Sequence, residues 1–265
     1  MKEFMKRIYW GEYTTDEMKE FIEKDPVVLV PVGAYEQHGP HLTMNTDTVI
    51  VDSLCSSIVK CADIPCVTLP PVWVGISEHH MQFSGSLTLK QSTMSALLFD
   101  ILESLHRSGI SKVLVVNSHG GNMTPLNEAV TRAGSSFGGT WALLTYWNLI
   151  RKEIGDIRKS EYGGISHAGE METALQLYID NGNVRTEQIP VANNIKGSSF
   201  WSAEMFAGNV ISMYKAYDEL SRQGHIGDPQ KATIEMGEMV HNLVVERGLQ
   251  LINVIWEGEL LNEDY

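Results

Sequence analysis

Pro26-Val-Val-Leu-Val-Pro-Val32, closed by Gly33-Ala-Tyr and followed by Glu36-Gln-His38, decides the architecture. An apolar, β-branched run of this length reads as a strand buried on both faces, the kind found in parallel sheets covered by helices. The residues just after the run carry chemistry. Glu36 and His38 are two positions apart, so in an extended segment a carboxylate and an imidazole share one face. A second unit has the same design: Lys112-Val-Leu-Val-Val-Asn117 runs directly into Ser118-His-Gly-Gly-Asn122. Thr140-Trp-Ala-Leu-Leu-Thr-Tyr146 is a further strand. Val67-Thr-Leu-Pro-Pro-Val-Trp73 is an extended segment whose pairing should stop at Pro70, because proline lacks the ladder N–H.

Amphipathic stretches lie between these runs. Residues 14–24 open on Thr-Thr-Asp-Glu, a helix-capping pattern. Residues 47–61 place Val49, Val51, Leu54 and Ile58 inward, and residues 92–106 repeat leucine and isoleucine at helical spacing. A helix passes through residues 129–133, another spans 170–178, and a long one spans 231–251. Strand–helix alternation predicts an α/β fold: a mostly parallel sheet with helices on both faces, in one domain over residues 1–265. Ligands in such folds bind beyond the carboxyl ends of the strands. Residues 183–228 are the least regular part and read as an excursion that covers a site or builds a subunit interface.

Composition narrows the function. Twenty Lys and Arg against 33 Asp and Glu give a formal net charge of −13. That excess of acid argues against nucleic acid and anionic membrane surfaces as partners and is compatible with a small-molecule substrate. The three cysteines, Cys55, Cys61 and Cys66, form no zinc-type pair and read as reduced thiols of a cytoplasmic protein. No apolar run is long enough for a membrane span.

Three histidines near strand ends have acids close by. His38 lies beside Glu36 and before Asp47, His119 follows the strand ending at Asn117, and His167 precedes Glu170 and Glu172. Imidazole with carboxylate is the ligand chemistry of Zn²⁺, Mn²⁺ or Fe²⁺. Each residue alone has a plainer reading. Asp47 suits a helix N-cap, His119 a turn, Glu172 a solvated helix face, and Glu170 and His167 a helix cap. Their joint occurrence points to a metal site. Gly120-Gly121 between strand and helix could cradle a phosphate, but no dinucleotide or P-loop glycine motif is present. A metallophosphatase would want Arg or Lys near the ligands, and none occurs between Val30 and Val59.

At these residues the chain resembles the creatininase family of metal-dependent amidohydrolases. The matching pieces are Pro31-Val-Gly-Ala-Tyr-Glu-Gln-His-Gly-Pro-His41 with Asp47, Gly75-Ile-Ser-Glu-His-His-Met-Gln-Phe-Ser-Gly-Ser86, Asn117-Ser-His-Gly-Gly-Asn122, His167-Ala-Gly-Glu-Met-Glu-Thr173 and Gly224-His-Ile-Gly-Asp-Pro229. The resemblance implies a three-layer α/β/α sandwich, a homohexamer and two divalent metal ions per chain. Glu36, Asp47 and His119 match the ligands of one ion; His38, Asp47 and Glu172 match those of the other, with Asp47 bridging. His167 matches the acid/base histidine, with Glu170 as a candidate to orient it. Trp147 matches a pocket tryptophan, and Ser77, His80, Gly120 and Gly121 are further candidate substrate contacts. Two positions depart from the family's name-giving enzyme. Gly121 stands where that enzyme has a ligating glutamate, and Gly163 where it has a second pocket tryptophan. Both argue against creatinine as the substrate. The expected reaction is hydrolysis of a cyclic amide or related C–N bond by a metal-activated water. Opening of an oxidised inositol ring, and a non-catalytic ligand-binding protein on the same fold, are the alternatives.

Overall fold

A computed structural model describes residues 7–195 and 197–261. Helix α1 (Thr15–Ile22) starts at a capping box in which the Thr14 side chain accepts from Glu17 N. The strands are β1 (Val27–Val32), β2 (Cys66–Thr68), β3 (Lys112–Asn117) and β4 (Thr140–Thr145), all parallel in the order β2-β1-β3-β4. β2 ends at Thr68, ahead of the two prolines, and Val72 rejoins Val32 by an isolated parallel bridge.

Helix α2 (Thr46–Cys61) links β1 to β2, α3 (Gln91–Arg107) links β2 to β3, and α4 (Met123–Phe137) links β3 to β4. β2 and β3 flank β1 on opposite sides, so the strand order reverses between β1 and β3. A crevice opens at such a switch point beyond the carboxyl ends of the strands. Val32 and Asn117, the last residues of the two strands, are paired there. The loops leaving these two strand ends bear Glu36, His38 and His119.

All six residues of β1 are buried, because both faces are covered. Val27 and Leu29 pack with α2 residues Ile50, Leu54 and Ile58, and with α6 (Glu170–Ile179) and α8 (Ile234–Glu257). Val28, Val30 and Val32 pack with Leu98 and Leu102 of α3 and Leu126 of α4. The sheet is therefore the middle layer of three. Two short helices, α5 (Ile154–Ile157) and α7 (Tyr217–Leu220), complete the set.

α8 is seated by its glycines. A Cβ on Gly237 would lie 2.0 Å from the Ala174 carbonyl oxygen of α6, and one on Gly248 would lie 2.5 Å from Ile58 Cδ1 of α2. The helix starts at Ile234 and not at residue 231 because Met236 N donates to Thr233 Oγ1 at 3.1 Å, and Pro229–Lys231 forms a separate turn. Among the described residues, 183–228 hold short turns, isolated bridges and α7, and residues from Trp201 to Ile226 line the cavity at the carboxyl-end side of the sheet. No disulfide joins the three cysteines. Among the described residues no helix is long and apolar enough to cross a membrane.

Candidate active site

The backbone beyond β1 turns His38 inward. His38 Nδ1–H donates to the carbonyl of Glu36 at 3.0 Å, which leaves Nε2 facing Asp47 Oδ1 at 3.4 Å and Glu172 Oε2 at 4.0 Å. His119 is set from the other strand end. Its N–H donates to Asn117 Oδ1, and Asn117 Nδ2 donates back to its carbonyl. Its Nε2–H donates to Ile76 O at 2.8 Å, leaving Nδ1 3.2 Å from Glu36 Oε1 and 3.5 Å from Asp47 Oδ2. A backbone carbonyl on one imidazole nitrogen fixes the tautomer and frees the other nitrogen for a cation. Asn122 locks the loops together: it accepts from Ile76 N and donates to Gly33 O, each at 2.9 Å.

Asp47 lies in the first turn of α2, where the helix field favours a carboxylate. Asn45 occupies the cap position, so the carboxylate of Asp47 is free to face the imidazoles. Ser118 Oγ anchors that turn by donating to Asp47 O at 2.8 Å. Glu172 lies in the first turn of α6 and is buried, so the solvated-face reading of this residue does not hold. Its Oε2 accepts from Ala168 N, and Ala168 is one of two described non-glycine residues with positive φ, at 51°. The strained residue next to His167 is thus held by a carboxylate of the same cluster.

These donors fit a divalent cation. Both Glu36 oxygens, His38 Nε2 and Asp47 Oδ2 are buried without a hydrogen-bond partner. A buried polar atom left without a partner is costly, and a bound cation removes that cost. His38, Asp47 and Glu172 form one group of close ligand atoms; Glu36, His38 and His167 form a second; Glu36, His79 and His119 form a third. The electrostatics agree. Burial alone would lower the His38 imidazole, but Asp47, Glu172 and Glu36 raise it to about 10. Burial likewise opposes the charged form of His119, and Glu36 and Asp47 raise it to about 9. Burial and the facing Asp47 carry Glu172 up to about 7 against the pull of His38. The carboxylates hold protons on their neighbours where no cation is bound.

A second layer of side chains faces this cluster. His167 Nε2–H donates to Gln37 O at 2.7 Å, and its Nδ1 lies 3.5 Å from Glu36 Oε1. Burial, with His38 and His80 close by, holds His167 well below the usual imidazole range. His80 Nε2 is 3.2 Å from Glu36 Oε1. The Tyr217 ring covers both, with ring centroids 4.0 Å from His80 and 4.9 Å from His167. The cavity above the cluster has a volume of about 800 Å³, and Trp147, Gly120, Gly121, Arg151, Trp201 and Met205 are among its lining residues.

The creatininase family model, described as creatinine amidohydrolase, matches residues 11–252. The chain belongs to the creatininase family. A mycofactocin precursor peptide peptidase of Mycolicibacterium smegmatis is 33% identical over 219 residues, covering 81% of this chain and 79% of that protein. A creatinine amidohydrolase of Pseudomonas putida is 27% identical over 188 residues, covering 65% of this chain and 72% of its own length. A solved manganese creatininase superposes with a TM-score of 0.81 at 22% identity, over 94% of this chain and 98% of that one. A mutant creatininase of Zn–Zn type gives 0.80 at the same identity, over 94% of this chain and 98% of its own. The chain is a creatininase-family hydrolase, and its fold is that of the solved creatininases.

Against that family the two glycine positions gain a physical reason. A Cβ on Gly121 would lie 2.2 Å from Ile76 O and 2.5 Å from His119 Nε2. The Ile76 carbonyl that fixes His119 fills the space a side chain at 121 would need. Gly121→Glu is therefore expected to displace the 75–77 loop, not to add a ligand. Its melting temperature should fall by several degrees and its metal content should not rise, as calorimetry and elemental analysis would read. Gly163 has φ +92°, a conformation a tryptophan rarely adopts.

The Glu170 carboxylate has its hydrogen-bond partners at residues 159 and 160. It accepts from Lys159 N at 2.7 Å and from Ser160 N at 3.1 Å, and also takes the Ser160 hydroxyl. It acts on the 158–170 loop as a buried clamp. Glu170→Ala should leave three donors unpaired and lower stability by about 3 kcal/mol, read by thermal unfolding, with metal still bound. Ser77 is buried, with its Oγ unpartnered, at the base of the loop carrying His80. Sequence reasoning missed Gln37, which sits between two assigned residues. It also missed Tyr217, which lies in the least regular segment, where no periodicity marks it.

Proposed function

We propose that this protein is a dinuclear metal-dependent hydrolase that cleaves an amide C–N bond in a substrate larger than a single small ring, with a peptide as the leading class. The observation that carries the reading is the set of buried, partnerless donor atoms of Glu36, His38 and Asp47 on the floor of a cavity of about 800 Å³. Glu36, Asp47 and His119 would hold one ion and His38, Asp47 and Glu172 the other, with Asp47 facing both imidazoles. Such a pair, as Zn²⁺, Mn²⁺ or Fe²⁺, lowers the pKa of water and polarises a carbonyl when bound.

The chain's own groups supply the rest. His167, neutral and with its lone pair at Nδ1, takes a proton from the attacking water and returns it to the leaving nitrogen as the C–N bond breaks. Tyr217 and the 201–217 segment cover the reacting groups and restrict water. Cavities of this size enclose ligands of many atoms, which favours a peptide over a creatinine-sized ring. The peptidase relative supports the same choice. The exposed Phe200, Val210 and Ile211 on the excursion are the surface a homo-oligomer would cover, and sedimentation would show the expected hexamer.

The test is a screen of Zn²⁺- and Mn²⁺-loaded protein against short peptides, cyclic amides, formamides and oxidised inositols, followed by mass spectrometry. A peptide cleaved at one bond is expected. Turnover confined to an oxidised inositol would replace the reading, and protein that binds no metal under replete conditions would end it.

A further inference from the structure

We propose that Gln37, pinned by Gly224, holds His80 as the Nε2–H tautomer, so that His80 is a hydrogen-bond donor to the carbonyl oxygen on which charge develops. The inference rests on the hydrolase reading for its substrate and on hydrogen-bond accounting for its geometry. Gly39 N donates to Gln37 Oε1 at 2.9 Å, which fixes the amide orientation. Gln37 Nε2 then lies 2.9 Å from Gly224 O and 2.8 Å from His80 Nδ1. A primary amide nitrogen has two hydrogens, and these are its two acceptors. His80 Nδ1 must accept, so the ring hydrogen sits on Nε2.

Gln37 Nε2 is also 3.1 Å from His167 Nε2, but that nitrogen already donates to Gln37 O, so two donors meet and no bond forms. One residue therefore sets both rings in opposite senses. Its backbone carbonyl leaves His167 with a lone pair toward the cluster, and its side chain leaves His80 with an N–H. The rings lie side by side, with centroids 4.4 Å apart. His80 Nε2 is fully buried and has no aligned partner, although Glu36 Oε1 is near. His80 lines the cavity, and a buried N–H there without an aligned partner is a place for a ligand oxygen. Held by Gln37, His80 would stabilise developing charge as a preorganised donor does.

Gly224 completes the device. It has φ +86°, and a Cβ there would lie 1.8 Å from Gln37 Oε1. The Gly224–Pro229 segment thereby gains a role that its distance in sequence hides. Gln37 is a positioning residue; His80 is the one that touches substrate.

Neutron diffraction from crystals of the Zn-loaded protein tests the tautomer without substrate, so failure here and failure of the hydrolase reading are separate results. Deuterium on His80 Nε2 is expected, and deuterium on Nδ1 alone overturns the proposal. Gln37→Glu reverses the bond at Nδ1 and should move the deuterium there. On the substrate found by the screen, kcat should fall about 10²–10³-fold, the loss typical of one such donor, with KM and metal content little changed. His80→Gln, whose amide N–H can stand near Nε2, should retain at least tenfold more activity than His80→Ala. Equal loss in both, or kcat within threefold of wild type in Gln37→Glu, also overturns it.

Discussion

Asp47→Ala is expected to remove bound divalent cation from both positions and to lower kcat/KM by about a thousandfold or more. The two oxygens of this residue are divided. Oδ1 faces His38 Nε2 and Oδ2 faces His119 Nδ1, so one carboxylate serves the donors from both strand ends. Without it, the remaining imidazoles and the Glu36 and Glu172 carboxylates form two incomplete sets. Cation chemistry at a reacting carbonyl is worth several kcal/mol, and each 1.36 kcal/mol is a factor of ten in rate. Elemental analysis after dialysis, read beside turnover, checks the result. Glu172→Ala is the graded control. Glu172 faces His38 alone among the assigned imidazoles, so its loss should empty one position and leave part of the other. Two full equivalents of metal in Asp47→Ala would show that this carboxylate does not bridge.

How much of this could be read before folding depends on the range over which each residue acts. β1 was legible because burial on both faces demands an unbroken apolar run, and Val27 to Val32 supply one. The clustering of the candidate ligands was legible because strand ends gather them: Glu36 and His38 by alternation, His119 by its place after Asn117. Sequence alone left Asp47 between ligand and cap. The fold decides that Asn45 takes the cap position. The roles of Gln37 and Glu170 were not legible, since each depends on a partner that only the tertiary fold supplies. Gln37 meets a carbonyl 187 residues away. Glu170 is ten and eleven positions from the donors it clamps, across an irregular loop with no period to reveal the pairing. Gly121 read as a lost ligand. Its meaning, a gap filled by the Ile76 carbonyl, appears only when the 75–77 loop is seen against His119.

His167→Gln should retain the metals and lose about 10²–10⁴-fold in kcat, the span expected for a general base. Glutamine is the informative substitution because its amide nitrogen can still donate to Gln37 O, as His167 Nε2 does at 2.7 Å. The packing and that hydrogen bond survive, and only the lone pair at Nδ1 is lost. Burial, with His38 and His80 close by, holds this imidazole below the usual range, so it is neutral and its Nδ1 lone pair is free. The geometry also offers a rival role. His167 groups with Glu36 and His38 as a set of ligand atoms, and its Nδ1 is 3.5 Å from Glu36 Oε1. The two roles separate in one measurement. A ligand lost takes its cation with it, so a fall in zinc or manganese content parallel to the fall in rate would assign His167 to the metal. Full occupancy with a collapsed kcat and an unchanged KM assigns it to the proton. A rate within tenfold of wild type would remove it from the chemistry altogether and shift attention to His80, the other ring that Tyr217 covers.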